Sequence, residues 1–259
     1  MALEDSITEL TAEAGKLLDL PQQIADTTAD KITALNNAYV NVISKGLSVA
    51  YVNGNSGSDD NEGSQASPFR TIAHAVNQCP RGGRVIVYLM SSILLDEDVD
   101  CLQREVYIWS ADGARHAISF KTGSYVVGNE TRRRLDAAFN VISGGLSIKG
   151  IDLALPTGTG NPHLPNPLAS PINCGPPGSR PSLMPRINLQ GVDINVAGTP
   201  FGPLIATGSF VQAIALDATL VSWSGDRTDG NGITIYGVND AAGTDTATLP
   251  WLVTNLNTI

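Results

Sequence analysis

Three aspartates at strand-like positions are the residues of this chain best suited to chemistry. Asp152 and Asp193 each follow a glycine and an apolar residue, in Gly150-Ile151-Asp152 and Gly191-Val192-Asp193. If the two segments are adjacent parallel strands, the carboxylates lie about 5 Å apart, near the separation in a retaining glycosidase. Asp217 would extend the row. The three are therefore candidates for cleaving a glycan.

The same aspartates also fit a structural role. Outward Asp beside Gly on a strand is ordinary solubilising chemistry, and stacked like charges destabilise a sheet unless water, lysine or a cation separates them. A short stack of strands also offers little lateral surface to grip a polysaccharide. We therefore assign no catalytic residue, expect binding rather than cleavage, and predict no cofactor.

A second group of carboxylates lies in a turn-rich loop. Asp59, Asp60 and Glu62 offer oxygen ligands that suit a hard cation such as calcium, but their spacing does not match an EF-hand loop. Turn formation and solvation explain the same residues. We predict no metal site and keep the three as the candidates for one.

One basic cluster stands out in the chain. Arg132, Arg133 and Arg134 are consecutive and could meet phosphate or acidic sugar on a surface, or pair with their own acidic neighbours. His163 lies in a proline-rich stretch and has no metal-ligating partner at suitable spacing. These four residues are the candidate receptor contacts.

Charge and cysteine content exclude several classes of protein. Sixteen basic and 25 acidic residues give a net charge of −9, which repels phosphate backbones, so we predict no nucleic-acid partner. Cys79, Cys101 and Cys174 are too widely spaced for a disulfide framework, which indicates buried thiols made in a reducing compartment. No stretch approaches a membrane span of about 20 apolar residues, and the acidic N-terminus is unlike a secretory signal. We expect a chain that folds in a cytosol without membrane insertion.

Repeated apolar segments predict a solenoid. The chain is 42% hydrophobic but only 5% aromatic, which favours a thin core of Val, Ile, Leu and Ala. The segments around Val87, Ile108, Val127 and Ile148 recur at intervals of 21, 19 and 21 residues. This period predicts six or seven stacked turns of strands.

A proline-rich stretch interrupts the period. Residues 156–185 contain nine of the 15 prolines. We expect this insertion to leave the stacked strands as an irregular or polyproline-like excursion that packs on a neighbouring subunit or presents a binding surface; disorder is the alternative.

Apolar residues near the N-terminus predict a helical stalk. They recur at alternating intervals of four and three residues in two runs, the pattern of a coiled-coil seam. The runs are out of register, and we expect Leu20-Pro21 to separate two helices. A helix packed on its own domain is the alternative. The predicted stalk residues are Leu3, Ile7, Leu10, Leu17, Ile32 and Leu35.

The segment after the stalk carries a resemblance to a known family. Residues 51–79, YVNGNSGSDDNEGSQASPFRTIAHAVNQC, indicate a strand, a turn-rich loop and a helix capped by Ser67 with Pro68 at its first position. The segment resembles the opening of pectin-lyase-like right-handed parallel β-helices, in which this helix caps the open end of the core. With the preceding stalk, the chain resembles bacteriophage tail fibres and tailspikes, which are trimeric.

The resemblance implies a fold and a function but no catalytic residues. We expect a mainly β protein, a right-handed parallel β-helix preceded by an α-helical trimeric coiled coil. The expected divisions are a stalk at 1–46, a cap at 47–83 and the β-helix at 84–259. The implied protein is a homotrimer of the phage tail, assembled in the host cytoplasm. It would join other virion proteins through its N-terminus and adhere to a host surface glycan or envelope receptor. The alternatives are a polysaccharide depolymerase and a purely structural fibre connector.

Overall fold

The chain consists of an N-terminal helix and a unit built mainly from parallel β-strands. The computed structural model describes residues 2–127, 129–156, 170–174, 184–196, 204–207, 214–225, 235–236 and 252–254. The helical unit covers Met1–Lys45 and the strand unit covers Gly46–Ile259. Within the described ranges, no helix is both long and apolar enough to span a bilayer.

One unbroken helix, α1 (Ala2–Lys45), forms the first unit. Pro21 lies inside this helix, so the prediction of two helices separated at Leu20-Pro21 is wrong. A proline removes one backbone hydrogen bond and crowds the preceding turn. The 44-residue helix continues because a single lost bond leaves the turns on both sides intact.

The continuous helix also removes the predicted change of register. A helical residue turns by about 100°, and on that geometry the large apolar residues of both runs share one arc of about 100° with Ile24, which lies between the runs. All of them are exposed. They are Leu3, Ile7, Leu10, Leu17, Ile24, Ile32 and Leu35, and we call them the α1 stripe.

Within its described residues, the strand unit contains nineteen strands and one short helix, α2 (Ile72–Asn77). The first nine strands are β1 (Leu47–Val52), β2 (Arg84–Leu89), β3 (Ile93–Leu95), β4 (Val99–Asp100), β5 (Glu105–Ser110), β6 (Ala117–Phe120), β7 (Thr122–Val127), β8 (Glu130–Leu135) and β9 (Phe139–Asn140). The others are β10 (Gly145–Lys149), β11 (Asp152–Leu155), β12 (Ile172–Cys174), β13 (Arg186–Gln190), β14 (Asp193–Val196), β15 (Ile205–Thr207), β16 (Ile214–Thr219), β17 (Ser222–Gly225), β18 (Ile235–Tyr236) and β19 (Leu252–Thr254).

Three parallel sheets account for all but two of these strands. The first sheet has the order β1-β2-β5-β10-β13-β16-β19, the second β17-β14-β11-β6-β3 and the third β18-β15-β12-β9-β4. From β2 onward the chain visits the first, second and third sheets in turn and then returns to the first. Apolar residues from all three sheets and from α2 form one buried cluster. The unit is thus mainly β, with parallel sheets around a shared core.

The predicted period identifies some strands of the first sheet correctly. Val87 pairs with Ile108, and Ile108 pairs with Ile148. Val126 and Val127 are not in this sheet, because β7 and β8 form an antiparallel hairpin. An exposed hairpin has the same alternation of apolar residues as a stacked strand, which is why spacing alone assigned Val127 wrongly.

The proline-rich stretch does not leave the sheets as one excursion. Within it, β12 pairs with β9 and β15 in the third sheet, and Ile172 and Cys174 are fully buried. Pro171 lies immediately before the strand, where its missing N–H group breaks no ladder bond inside β12. The other predicted parts of the excursion, at 157–169 and 175–183, lie outside the described residues.

Helix α2, the predicted cap, begins later than its sequence suggests. Thr71, not Ser67, is the N-cap of α2, and its hydroxyl accepts a hydrogen bond from the His74 amide at 3.1 Å. Phe69 is still extended, because its N–H group donates to the Tyr51 carbonyl at 2.9 Å. The Asp59 carboxylate accepts bonds from the Arg70 and Thr71 amides and from the Thr71 hydroxyl, at 2.9–3.0 Å. Asp59 therefore fastens the turn-rich loop to the start of α2.

We predict that Asp59→Ala destabilises the strand unit by about 2 kcal/mol, because the variant loses three hydrogen bonds to one carboxylate. For a unit of this size, that loss lowers the melting temperature by roughly 4–8 °C, measurable by thermal unfolding. Asp60→Ala is the matched control, because Asp60 is exposed. An equal effect of both substitutions would contradict a structural role that is specific to Asp59.

Candidate functional site

The outward side chains of the first sheet lie in columns. Strand register places residues of successive strands directly beside one another, about 4.8 Å apart. One column is Arg84, Glu105, Gly145, Arg186 and Ala215; the second is Ile86, Tyr107, Ser147, Asn188 and Asp217; the third is Tyr51, Tyr88, Trp109, Lys149 and Gln190. We call these columns together the outer face of the first sheet.

Aromatic rings cover one end of this outer face. Tyr51 and Tyr88 are stacked with ring centroids 5.2 Å apart. Trp109 turns its ring by 71° from that of Tyr88 at 5.8 Å, and it meets Tyr107 edge to face at 6.1 Å. The Arg84 guanidinium lies 5.5 Å from the centre of the Tyr107 ring. Because each ring packs on a neighbour, the group forms a preorganised surface with apolar faces and polar tips.

Small residues on β10 open a groove beside these rings. Gly145 lies between Glu105 on β5 and Arg186 on β13, and Ser147 lies between Tyr107 and Asn188 on the same two strands. The resulting cavity of about 440 Å³ also reaches Asp217 on β16, and its volume is in the range of small-ligand sites. We call it the β10 groove.

An ion pair crosses the floor of the β10 groove. Arg186 pairs with Glu105, and both are register neighbours of Gly145. A Cβ atom at position 145 would overlap the Glu105 carboxylate. The absence of a side chain at Gly145 thus leaves room both for the ion pair and for the groove.

The carboxylates of the groove are poorly placed for glycoside hydrolysis. Glu105 and Asp217 are three strand steps apart, about 14 Å along the sheet, beyond the roughly 6.5–9.5 Å of an inverting pair. Glu105 is held by Arg186, and Asp217 accepts a hydrogen bond from the Thr219 hydroxyl at 3.1 Å. The groove offers hydrogen-bonding groups rather than an acid and base pair.

The structure does bring Asp152 and Asp193 together, as the sequence predicted. They are register partners on β11 and β14 of the second sheet. Arg115 donates to the Asp152 carboxylate from Nε at 2.8 Å. This hydrogen bond, helped by the negative charges of Asp152 and Asp193, raises the pKa of the Arg115 guanidinium. The cation therefore offsets the repulsion between the two carboxylates.

Both oxygens of Asp193 have further partners. The Ser222 hydroxyl donates to one at 2.9 Å and the Ser224 hydroxyl to the other at 2.7 Å. A retaining glycosidase needs one carboxyl of the pair to act as a proton donor. Both oxygens of Asp193 are instead engaged by hydroxyl donors from the neighbouring strand β17. The pair resembles a structural ladder more closely than an acid and nucleophile.

Asp217 does not extend the row of Asp152 and Asp193. It lies on β16 of the first sheet, beside Asn188, and Ser222 is the residue aligned with Asp193. Each turn of the chain passes through different sheets, and an Asp between apolar residues occurs in more than one of them. Local sequence alone therefore assigned Asp217 to the wrong sheet.

The other predicted site residues are dispersed. Arg132, Arg133 and Arg134 belong to β8 of the hairpin, where Arg134 pairs with Asp136 at 3.0 Å. His163 lies outside the described residues. No group of three or more His, Cys, Asp or Glu residues in the described part of the chain could hold a metal ion. Asp60 and Glu62 are exposed beside the structural Asp59.

The three cysteines are free and buried. Burial raises the pKa of the Cys174 thiol to about 12 and also raises the pKa of Cys101 and of Cys79. Thiols with raised pKa values are poor nucleophiles at neutral pH. They act as small apolar residues of the core.

Sequence reasoning missed the aromatic surface and the groove. A signal for the rings was present, because Tyr88, Tyr107 and Trp109 alternate with buried aliphatic residues in their strands. Such alternation marks outward positions on a half-buried sheet. No comparable local signal marks the groove, because its walls come from strands far apart in the sequence.

The chain has only distant similarity to known proteins. No protein-family model and no curated protein matches the chain. Among solved structures, it is similar to the selenomethionine derivative of GH136 lacto-N-biosidase from Eubacterium ramulus, with 14% identity, 73% of this chain and 36% of that chain covered, and a TM-score of 0.45. The native form of that protein gives 15% identity, 67% and 36% coverage, and 0.39. A rhamnogalacturonan lyase gives 11%, 74% and 65%, and 0.35.

The chain thus spans 36% of the length of the lacto-N-biosidase. Similarities at this level assign neither a family nor a function to it.

We predict that Arg115→Met destabilises the strand unit by up to about 1 kcal/mol at pH 7, because Arg115 is half-exposed and solvent screens its ion pair. The variant leaves two carboxylates on adjacent strands without their cation. Salt screens that repulsion, so the difference from wild type should shrink as the salt concentration rises from about 50 to about 500 mM. Urea unfolding at the two salt concentrations measures both values. Arg81→Met, at an exposed turn, is the control, and a difference that is unchanged at the higher salt concentration would contradict the electrostatic explanation.

Proposed function

We propose that the strand unit is one right-handed parallel β-helix. Three observations support this: a fixed rotation of the chain through three parallel sheets, one shared core, and a capping helix with buried Ile72 and Val76. Crossovers between parallel strands are almost always right-handed. Stacked repeats also need a terminal cap that covers the open end of the core.

We propose that the β10 groove binds a glycan on a host surface. The observation that carries this proposal is a half-buried Tyr107 ring beside a groove whose other walls present Arg186, Asn188 and Asp217. An aromatic face packs on the C–H groups of a sugar ring, while guanidinium, amide and carboxylate groups bond its hydroxyls. A small number of placed polar groups around an apolar surface is the usual composition of a ligand site.

The same geometry favours adhesion over cleavage. The groove carboxylates are too far apart for hydrolysis, and the closer pair, Asp152 and Asp193, is engaged by Arg115 and by two serine hydroxyls. A depolymerase or a purely structural connector would be the alternative roles for this protein.

We infer that three chains assemble through α1. The α1 stripe presents seven large apolar residues on one face of a 44-residue helix, and a coiled coil buries such a face. In this proposal the protein is a homotrimeric tail-fibre or tailspike subunit of a phage virion. Its N-terminal segment joins other tail proteins, and the strand unit adheres to the host. Three copies of a weak site then act together.

Substitution of Tyr107 tests the glycan site. Tyr107→Ala should weaken binding to host-surface polysaccharide by about tenfold, the loss of one aromatic stacking contact. Leu94→Ala, an exposed apolar residue of the second sheet, should leave binding unchanged. Binding is measured by calorimetry, and new reducing ends are assayed in the same samples. Undiminished binding by the Tyr107 variant would contradict the proposed site. Release of reducing ends by wild type would support the depolymerase instead.

Solution mass tests the trimer. The intact protein should scatter light as three chains of 27.1 kDa. Replacing Leu10 and Leu17 by Asp should lower the mass toward one chain, because charges enter the apolar seam. Gln23→Asp, on the opposite face of α1, is the control and should remain trimeric. A wild-type mass near that of one chain would contradict the proposed trimer.

A further inference from the structure

The outer face of the first sheet carries a local excess of positive charge. Arg84, Lys149 and Arg186 outnumber Glu105 and Asp217 there, whereas the whole chain has a net charge of −9. The groove lining holds Arg186 with Glu105 and Asp217, so the excess positive charge lies beside the groove, at Arg84 and Lys149. Close to a surface, within a Debye length of about 8 Å, such local charges dominate over distant ones.

Lys149 is the cation that remains available to a ligand. Arg186 is paired with Glu105, and Arg84 lies over the Tyr107 ring. Lys149 is exposed, and it forms no ion pair with another residue in the described part of the chain. Its flexible ammonium carries three donors and suits a single anionic group.

The neighbours of Lys149 are those of a sugar site. Trp109 precedes it and Gln190 follows it in the same outward column, and Ser147 lies two residues away on the same strand. Trp109 meets the groove residue Tyr107 edge to face. A ligand that packs on these rings therefore places its next substituent within reach of the ammonium.

Charge is distributed unevenly along the face. Lys149 lies beside the aromatic end, whereas Asp217 lies two strands further along, on β16. Asp217 would repel an anionic group but accepts bonds from hydroxyls. A ligand with an acid at one end and hydroxyls at the other matches this order.

We propose that the glycan bound at the β10 groove is acidic, with its carboxylate paired to Lys149 and a neighbouring sugar ring packed on Tyr107. This inference rests on the proposed glycan-binding function. Hexuronic acids and sialic acids both present the required carboxylate on a ring, and the shared chemistry is a carboxylate-bearing sugar. A free anion is not the proposed ligand, because it has no sugar ring to pack on the aromatic side chains.

Binding to carboxylate-bearing polymers and to their neutral counterparts tests the proposal. The probes are polygalacturonate, polysialic acid, the carboxyl-reduced form of each, and dextran, measured with the full-length protein. Wild type should bind at least one acidic polymer about fivefold more tightly than its reduced form, the value of one exposed ion pair. Lys149→Gln should abolish that difference, and raising the salt from 50 to 500 mM should weaken binding of wild type more than of the variant. Lys121→Gln removes the same charge from an exposed position between β6 and β7 and should keep the preference.

The outcomes separate the two proposals. A preference for one polymer identifies the acid as a uronic or a sialic acid. Equal binding of acidic and reduced forms, lost in Tyr107→Ala, overturns the acidic ligand but leaves glycan binding at the groove. A preference for the acidic form that survives in Lys149→Gln also overturns it, since another cation then holds the carboxylate. Failure to bind any of the polymers or host polysaccharide overturns the glycan-binding function itself.

Discussion

Each strand of the first sheet can bury its apolar side chains only against the strands directly beside it and the two other sheets across the core. Val87, Ile108, Ile148 and Leu189 form one such inward column, and all four are fully buried. The shared register that aligns them also fixes the residues between them. A shift of one residue would turn Tyr107 inward and Ile108 outward. The outer face therefore depends on core packing that no outward residue takes part in.

This dependence explains how the sheet accommodates a destabilising glycine, Gly145, in the groove. Glu105 and Arg186 come from strands that are two steps apart, and they meet because Gly145 lies between them. Glycine within a strand weakens it, since it packs no side chain and loses more conformational freedom on folding. Burial of Leu146 and Ile148 on the same strand offsets that loss. A rigid core thus permits an open, weakly packed position on the outer surface.

The sequence predicted those features that repeat locally. Parallel strands, the pairing of Val87 with Ile108 and the neighbouring positions of Asp152 and Asp193 follow from alternation and spacing. The hairpin at Val127 and the place of Asp217 do not, because similar short patterns occur on an inserted hairpin and on a different sheet. The proline content also led to a wrong prediction, that of a single excursion from the sheets, because a strand of three residues, β12, fits between prolines.

The groove was beyond sequence reasoning for a different reason. It exists because Tyr107, Ser147 and Asn188 lie side by side, although about 40 residues of chain separate each from the next. Only the number of residues in each turn decides that they align, and the inserted hairpin and the proline-rich stretch alter that number.

A groove on a parallel sheet also limits how tightly it can bind. The strands cannot close over a ligand without breaking the register that holds the core, so most of the ligand remains in contact with water. Its rings are held by packing on one another, which lowers the entropy lost on binding but does not add contacts. If the groove binds a glycan as proposed, strong attachment must come from repetition of the site, and effective concentration supplies it when several copies are joined. In the proposed trimer, a preorganised but shallow site and an exposed apolar helix face would be complementary, because assembly through the helix would supply the avidity that one groove lacks.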